Sequence, residues 1–220
     1  MMSEKIKRIA CVGDSITFGH CASGPDQSYP AVLGRLLGAG YETFNFGRNS
    51  ATLLEDYAYA GHEIPYVQCE QYAPSLSSSP DIVLIMLGMN DANPLHALSA
   101  GNDGVLSDHL LERYFLEARA LTEIYRALPT RPAVFWCQTT WMLRQTCAKW
   151  DARYIARFLG NLERLLPVQR RAAQAAGAPY IDTRESMRLP EYYFDGAHMT
   201  DMGYAALAAV IARQLRAQNA

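Results

Sequence analysis

Short apolar runs alternate along the chain with stretches in which apolar residues recur every three or four positions. The runs are too continuously apolar for a sheet with one exposed face, so we expect strands that are buried on both faces. Five runs have this character: Ile9–Val12, Tyr41–Phe46, Ile82–Leu87, Ala133–Cys137 and, more weakly, Pro179–Ile181.

The stretches between the runs have the periodicity of helices with one buried face. They cover residues 32–37, 110–128, 155–166 and 207–215. We expect Pro167 to interrupt the third helix and Thr200 to cap the last one. Two segments are predicted to be loops, Ser75–Pro80 and the longer Ala92–Asp108, which we expect to border a site.

The alternation of strands and helices predicts an α/β fold, a three-layer α/β/α sandwich with a mostly parallel five-stranded sheet. A chain of 220 residues is long enough for one such domain, which we expect to span residues 1–220. Ligands of such sheets bind at the carboxyl ends of the strands. The residues that follow each strand are therefore the first place to look for chemistry.

Composition and charge narrow the class of partner. Half of the residues are hydrophobic, 19% are charged, and the net charge is −2. The only lysines are Lys5, Lys7 and Lys149, too few to follow a phosphate backbone. We therefore expect no nucleic acid partner and a small-molecule or glycan substrate, and we leave the oligomeric state open.

The N-terminal segment and the cysteines bear on the compartment. Residues 1–7 contain no apolar region typical of a signal peptide, and no apolar run is long enough to span a membrane. The cysteines are odd in number and form no Cys-x-x-Cys pair: Cys11, Cys21, Cys69, Cys137 and Cys147. We therefore expect a reduced, cytoplasmic protein without a membrane partner.

Polar residues stand after two of the predicted strands. Gly13-Asp14-Ser15 follows the first strand and Gly88-Met89-Asn90-Asp91 follows the third. Near the C-terminus, the three-residue spacing of Asp195 and His198 lets the carboxylate reach Nδ1 of the imidazole and leaves Nε2 for Ser15. Because a serine hydroxyl is a weak nucleophile without such a base, these residues predict a catalytic triad.

Simpler interpretations exist for each of these residues taken alone. A Gly-Asp-Ser sequence usually forms a turn, Asn90 and Asp91 are typical of a helix cap, and Asp195 could cap a helix or form an ion pair. We expect Asp14 to brace the turn rather than to act as a second base. Their occurrence together, at predicted strand ends, favours catalysis.

The remaining histidines and aromatic residues suggest no cofactor. His20 is a rival base because it is close to Ser15 in sequence, while His62, His96 and His109 lack the spacing of metal ligands. We therefore expect no metal and no cofactor.

Several aromatic residues stand near the candidate site in sequence. They form either a wall that binds a sugar or acyl group or ordinary loop packing: Trp141, Trp150 and Tyr192-Tyr193-Phe194.

Motifs of other enzyme classes are missing, since the chain has no G-x-S-x-G, S-x-x-K, G-K-[ST], H-E-x-x-H or complete G-x-G-x-x-G. Three segments instead resemble the SGNH (GDSL-type) esterases and lipases. Residues 13–19, GDSITFG, resemble the block that carries the nucleophile. Residues 88–91 resemble the block whose asparagine side chain donates a hydrogen bond to the oxyanion. Residues 195–198 resemble the block that supplies the aspartate and the histidine of the triad.

The resemblance implies a flavodoxin-like SGNH hydrolase fold and an oxyanion hole formed by the N–H groups of Ser15 and Ser50 with the Asn90 side chain. Residues 45–52 depart from the family, because Ser50 stands where a glycine is usual. A serine keeps the N–H group but lacks the freedom of glycine at positive φ. Gly47 is an alternative donor if the loop register differs.

The resemblance further implies a serine esterase that cleaves short acyl groups, above all acetyl, from oxygen esters through an acyl-enzyme. Residues 5–19 and Ser28-Tyr29-Pro30 are most similar to family members that deacetylate carbohydrates. Alternatives are a lysophospholipase, a short-chain thioesterase, or a catalytically silent module that keeps the fold and binds a glycan or acyl ligand.

Overall fold

A computed structural model describes residues 5–55, 64–99, 103–140 and 150–218, without the side chains of residues 96, 98 and 99. Its strands are β1 (Lys7–Gly13), β2 (Tyr41–Gly47), β3 (Ala51–Thr52), β4 (Ile64–Pro65), β5 (Ile82–Met86), β6 (Ala133–Cys137) and β7 (Tyr180–Ile181). Its helices are α1 (Ser15–Phe18), α2 (Tyr29–Leu37), α3 (Tyr72–Ser77), α4 (Pro94–Ser99), α5 (Asp108–Arg126), α6 (Ala152–Ala175) and α7 (Asp201–Gln218). All five predicted strands are thus confirmed, with ends that differ by one or two residues.

The central sheet has five parallel strands in the order β2-β1-β5-β6-β7, and β3 pairs with β4 in a separate two-stranded ladder. In the register of the sheet, Cys11 of β1 lies between Asn45 of β2 and Leu84 of β5. Strand β2 is added on one side of β1, and the later strands β5, β6 and β7 are added on the other side. The order of strand addition therefore reverses beside β1. Ligand sites of open parallel sheets form at such a point.

Successive residues of each strand point to opposite faces of the sheet, and both faces are covered. Ala10 and Val12 pack with α5 and α6 in one apolar cluster. Ile9 and Cys11 pack with α2 and α7 in the other. These two clusters give the three layers that the continuously apolar strands predicted, so the expected α/β/α architecture is confirmed.

The prediction that Pro167 interrupts a helix is wrong. Helix α6 continues through Pro167 to Ala175. The proline removes one hydrogen bond to the carbonyl of Glu163. Both residues are exposed, so water can satisfy that carbonyl, and buried residues on either side hold the helix against the sheet: Leu162, Leu165, Leu166, Gln169, Ala172 and Ala173.

Both predicted loops contain helices. Residues 75–77 end helix α3, where the Ser75 hydroxyl is buried and pairs with the Tyr125 hydroxyl at 2.5 Å. Residues 94–99 form helix α4 inside the segment predicted to be a long loop. The predicted cap of the last helix is confirmed, since Thr200 Oγ1 accepts a hydrogen bond from the Gly203 N–H at 3.2 Å. None of the described helices is long and apolar enough to cross a membrane.

Candidate active site

The turn after β1 places Ser15 at the carboxyl edge of the sheet. Asp14 is the N-cap of α1, and its Oδ1 accepts a hydrogen bond from the Ile16 N–H at 2.9 Å. Asp14 therefore braces the turn, as expected. Ser15 is the first residue of α1 and is only 6% exposed. Its N–H group belongs to the helix N-terminus, where amides have no acceptor within the helix.

A chain of hydrogen bonds joins Ser15 to the segment before α7. Ser15 Oγ lies 3.0 Å from His198 Nε2, and His198 Nδ1 lies 2.9 Å from Asp195 Oδ2. The other oxygen of Asp195 accepts the backbone N–H groups of Ala197 at 3.1 Å and His198 at 2.8 Å. The structure thus brings together the three residues of the predicted triad, in the predicted order of contacts.

The Asp195 carboxylate is held in its ionised form. Burial acts to raise its pKa, but the hydrogen bonds from the His198 ring and from the backbone of His198 and Ala197 outweigh burial and hold that pKa well below its usual range. An ionised carboxylate at this position accepts a hydrogen bond from the Nδ1–H of the imidazole, so the lone pair lies on Nε2 and faces Ser15.

The segment after β5 supplies a side-chain amide and a brace. Asn90 Nδ2 donates one hydrogen to the Ala51 carbonyl at 2.9 Å, and a primary amide has a second hydrogen to offer. Asp91 is fully buried, and its carboxylate accepts the N–H groups of Leu53 at 3.1 Å and Leu54 at 2.9 Å. Asp91 therefore fixes the segment that carries Ser50 and Ala51, a role that the sequence did not reveal.

Ser50 adopts the backbone conformation that favours glycine, with a φ of 62°. Ser50 lines the same cavity as Ser15, Asn90 and His198. Gly47, the alternative donor, is absent from the described residues that line this cavity, and its N–H already donates to Asn45 Oδ1 at 2.9 Å. A Cβ at Gly47 would lie 2.0 Å from the Phe18 nitrogen, so close packing explains that glycine.

We expect Ser50→Gly to preserve or raise turnover and to leave the fold intact. A non-glycine residue in the left-handed region costs about 1–2 kcal/mol, and glycine removes that cost while it keeps the N–H group. The measurement is the kcat for p-nitrophenyl acetate together with the melting temperature. Ser50→Ala is the control, because it keeps the strain and removes only the hydroxyl. A large loss of kcat in both variants would show that the Ser50 hydroxyl itself is needed.

The cavity that contains these groups has a volume of about 410 Å³. Apolar and aromatic side chains form one side of it, and Trp150 stacks on Tyr154 with ring centroids 4.6 Å apart. Trp150 is 42% exposed at the mouth. Of the other lining residues, Ile16, Asn49, Met89 and Ala197 lie within the segments that resemble family blocks. Asn93 lies within residues 92–108, which were expected to border a site. Sequence analysis did not find Tyr154, and helical periodicity placed Phe158 in the core.

One of the aromatic residues considered for a wall lies at the cavity. Trp150 lines the cavity, whereas Trp141 lies outside the described residues. Tyr193 is buried in the core and its hydroxyl donates to the Met187 carbonyl at 2.8 Å. Phe194 is 63% exposed, and neither it nor Tyr192 is among the described residues that line the cavity. Tyr193 therefore packs inside the protein, as the alternative interpretation of these aromatic residues expected.

His20 lies beside the triad rather than within it. Its ring meets that of His198 edge to face with centroids 4.4 Å apart, while Ser15 pairs with His198. His20, Cys21 and His198 together offer three potential metal ligands. His109 is exposed on α5, and His62 and the side chain of His96 lie outside the described residues.

Asp14 is fully buried, and burial raises its pKa to about 7 against the opposing effect of the Ile16 N–H. Its Oδ2 has no hydrogen-bond partner among the described residues. Burial likewise raises the pKa of Asp91 to about 6, although its two backbone donors oppose the shift. Two carboxyl groups under the site thus resist ionisation.

We expect Asp14→Asn to stabilise the protein increasingly as the pH rises. The folded protein keeps the Asp14 proton up to about pH 7, whereas the unfolded chain loses it near 3.8. The stability contributed by Asp14 is therefore complete below about pH 4 and is lost as the pH rises through 7. Asparagine keeps the N-cap acceptor and cannot ionise, so the difference in unfolding free energy should reach the order of 4 kcal/mol.

The measurement is urea unfolding of both proteins between pH 4 and pH 8.5. Asp91 is present in both, so the comparison isolates the loss of the Asp14 carboxyl together with its smaller coupling to Asp91. A difference in unfolding free energy that stays constant over this range would contradict a raised pKa for Asp14.

Comparison with family models assigns the chain to one family. Residues 11–206 match the GDSL-like lipase/acylhydrolase family. An acetylxylan esterase from Xylanibacter ruminicola is 38% identical over 95 residues, which cover 41% of this chain and 18% of that protein. The chain thus spans about a fifth of the length of this relative.

Solved structures show the same fold. A carbohydrate acetylesterase family member from Sinorhizobium meliloti superposes with a TM-score of 0.66 at 22% identity, covering 96% of this chain and 97% of that one. An aryl esterase from M. smegmatis gives a TM-score of 0.69 at 22% identity, covering 96% and 99% of the two chains.

Proposed function

Because the chain belongs to the GDSL-like lipase/acylhydrolase family, we propose that it is a carboxylic ester hydrolase that removes short acyl groups, chiefly acetyl, from carbohydrates through an acyl-enzyme on Ser15. The observation that carries this proposal is the hydrogen-bonded chain from Ser15 Oγ through the His198 ring to Asp195. That chain opens on a cavity with room for a small ester.

In the proposed acylation step, Ser15 Oγ attacks the ester carbonyl carbon and His198 Nε2 accepts the hydroxyl proton. The contact of 3.0 Å between these atoms is within the range for such a transfer. Asp195 stabilises the imidazolium that forms and keeps its ring orientation through the Nδ1 contact. His198 then gives the proton to the leaving alkoxide, which departs as the alcohol.

The negative charge on the carbonyl oxygen needs donors that are in place before the reaction. We assign this role to the N–H groups of Ser15 and Ser50 and to the second hydrogen of the Asn90 amide. All three residues line the cavity, and the bond from Asn90 to the Ala51 carbonyl fixes the amide orientation. Removal of one such donor typically costs about 3–4 kcal/mol of transition-state stabilisation.

Deacylation repeats the step with water. His198 Nε2 takes a proton from the water molecule as the oxygen attacks the acyl carbon, and it then returns the proton to Ser15 Oγ. Acetic acid leaves and loses its remaining proton to solvent, and the enzyme is restored. His198 carries each proton that moves to or from Ser15, and these steps use no metal ion.

Two observations support a carbohydrate ester over a lipid or thioester, and a third supports a short acyl group. The relative from Xylanibacter ruminicola is named an acetylxylan esterase. The exposed indole of Trp150 stacks on Tyr154 at the mouth of the cavity, and such an aromatic face suits the apolar face of a sugar ring. The volume of about 410 Å³ suits a short acyl group.

The test is the release of acetate from acetylated xylo-oligosaccharides, compared with p-nitrophenyl esters of two to twelve carbons, acetyl thioesters and lysophospholipid. Ser15→Ala serves as the inactive control. We expect the highest kcat/KM on the acetylated sugar and a steep fall beyond short acyl chains. A preference for long acyl chains, lysophospholipid or thioester would reject the proposed substrate. Equal, negligible rates for wild type and Ser15→Ala on every ester would favour a silent binding module.

A further inference from the structure

A group of soft metal ligands adjoins the proposed triad. His20, Cys21 and His198 each offer one ligand atom, and these three atoms all lie within 4.8 Å of one another. The two imidazole rings are already in edge-to-face contact. Cys21 is only partly buried. The chain thus presents two imidazoles and a thiol at a single point on the edge of the active site.

The turn that carries His20 and Cys21 is fixed by its surroundings. Gly19 and Cys21 both have left-handed backbones, with φ values of 93° and 69°. The His20 N–H donates to the Ser15 carbonyl at 2.9 Å, and the His20 carbonyl accepts the Tyr204 hydroxyl at 2.7 Å. Further along, both the N–H and the hydroxyl of Ser23 donate to the Asp201 carboxylate, at 2.8 and 2.6 Å. The backbone that carries His20 and Cys21 is therefore held in place by contacts that need no ion.

The third ligand, His198, is oriented in the manner of a metal-binding histidine. Its Nδ1 is engaged by Asp195 Oδ2 at 2.9 Å, so the lone pair of the neutral ring lies on Nε2. A carboxylate that accepts the far N–H of a ligating imidazole orients the ring and increases its basicity. The same Nε2 contacts Ser15 Oγ.

We propose that His20, Cys21 and His198 bind a divalent cation of the zinc class and that the bound ion inhibits the esterase. Thiolate and imidazole are ligands that Zn²⁺ prefers and that Mg²⁺ and Ca²⁺ do not. On binding, the Cys21 thiol releases its proton to solvent and its sulfur bonds to the ion. His198 Nε2 donates its lone pair to the ion and can no longer accept the Ser15 proton. The inhibitory part rests on the proposed role of His198 as the base.

The first test is the titration of p-nitrophenyl acetate hydrolysis with Zn²⁺ and, separately, with Mg²⁺. Each protein is compared with its own rate without added metal. We expect Zn²⁺ to inhibit the wild type, a chelator to reverse the inhibition, and Mg²⁺ to have no effect. In Cys21→Ser the midpoint should move to at least about tenfold higher Zn²⁺, because a ligand is lost. Cys69→Ser, which alters a buried thiol that is not in the cluster, should titrate like the wild type.

The second test does not depend on activity. Co²⁺ is added to Ser15→Ala protein, and the absorption band from thiolate to cobalt is recorded. We expect the band in Ser15→Ala and its loss when Cys21→Ser or His20→Asn is added. Even if the protein hydrolyses no ester, this band decides whether the site binds metal. No band, or equal zinc inhibition of wild type and Cys21→Ser, would overturn the proposal.

Discussion

Replacing Ser15 with alanine is expected to lower kcat for p-nitrophenyl acetate by about four to six orders of magnitude. The hydroxyl is the only group of this residue that reaches His198, and without it no acyl-enzyme can form. The methyl group of alanine fits the space of the serine side chain, which is 6% exposed, so the fold should be unaffected. The measurement is the steady-state rate over a range of substrate concentrations, with the melting temperature to verify folding.

Ser77→Ala is the matched control for this prediction. Ser77 is exposed at the end of α3, and its hydroxyl donates only to the nearby Pro74 carbonyl at 3.2 Å. The control should keep the wild-type rate within about twofold, as surface substitutions generally do. If Ser15→Ala retained a tenth of the wild-type rate, Ser15 would not be the nucleophile.

Replacing Asp195 with asparagine is expected to lower kcat by about 10⁴-fold with little change in KM. Asparagine keeps one oxygen, which can still accept the N–H groups of Ala197 and His198, so the loop geometry survives. Its amide group replaces the oxygen that faces His198 Nδ1 and presents an N–H there instead. The imidazole then keeps its proton on Nε2, where it cannot take the proton of Ser15.

Asp108→Asn is the comparison for this variant. The side chain of Asp108 is 96% exposed and forms a surface ion pair with Arg164, so its loss should change neither kcat nor stability appreciably. A kcat for Asp195→Asn within tenfold of the wild type would remove Asp195 from the mechanism, and the role of His198 would then need a different orienting group.

The fold was predictable because its strands are apolar on both faces. Only buried parallel strands explain runs such as Ile82–Leu87, and the structure covers both faces of that strand with helices. The errors came from tertiary context. Pro167 sits on the solvent side of a docked helix, and Ser75 is buried because Tyr125, fifty positions along the chain, pairs with it. Neither circumstance is visible in local sequence.

The site was predictable where its parts are close together in sequence or resemble a family block. Asp195 and His198 are three residues apart, and the spacing alone predicts their contact. The glycine that the family usually has at position 50 raised the question of a positive φ there, and the structure gives Ser50 a φ of 62°. Two other contacts join segments that are far apart in sequence. They are the hydrogen bonds from Leu53 and Leu54 to Asp91 and the grouping of Cys21 with His198. No local sequence pattern predicts such contacts.

The brace from Asp91 separates two sets of contacts that meet at the cavity. The proposed oxyanion donors on Asn90 and Ser50 are held by bonds among residues 50–54 and 90–91. The proposed proton-transferring pair, Ser15 and His198, is held by the Asp14 cap of α1 and by the Asp195 carboxylate. A substitution at Asp91 would therefore disturb the segment that carries Ser50 while it leaves the contacts of His198 with Ser15 and Asp195 in place.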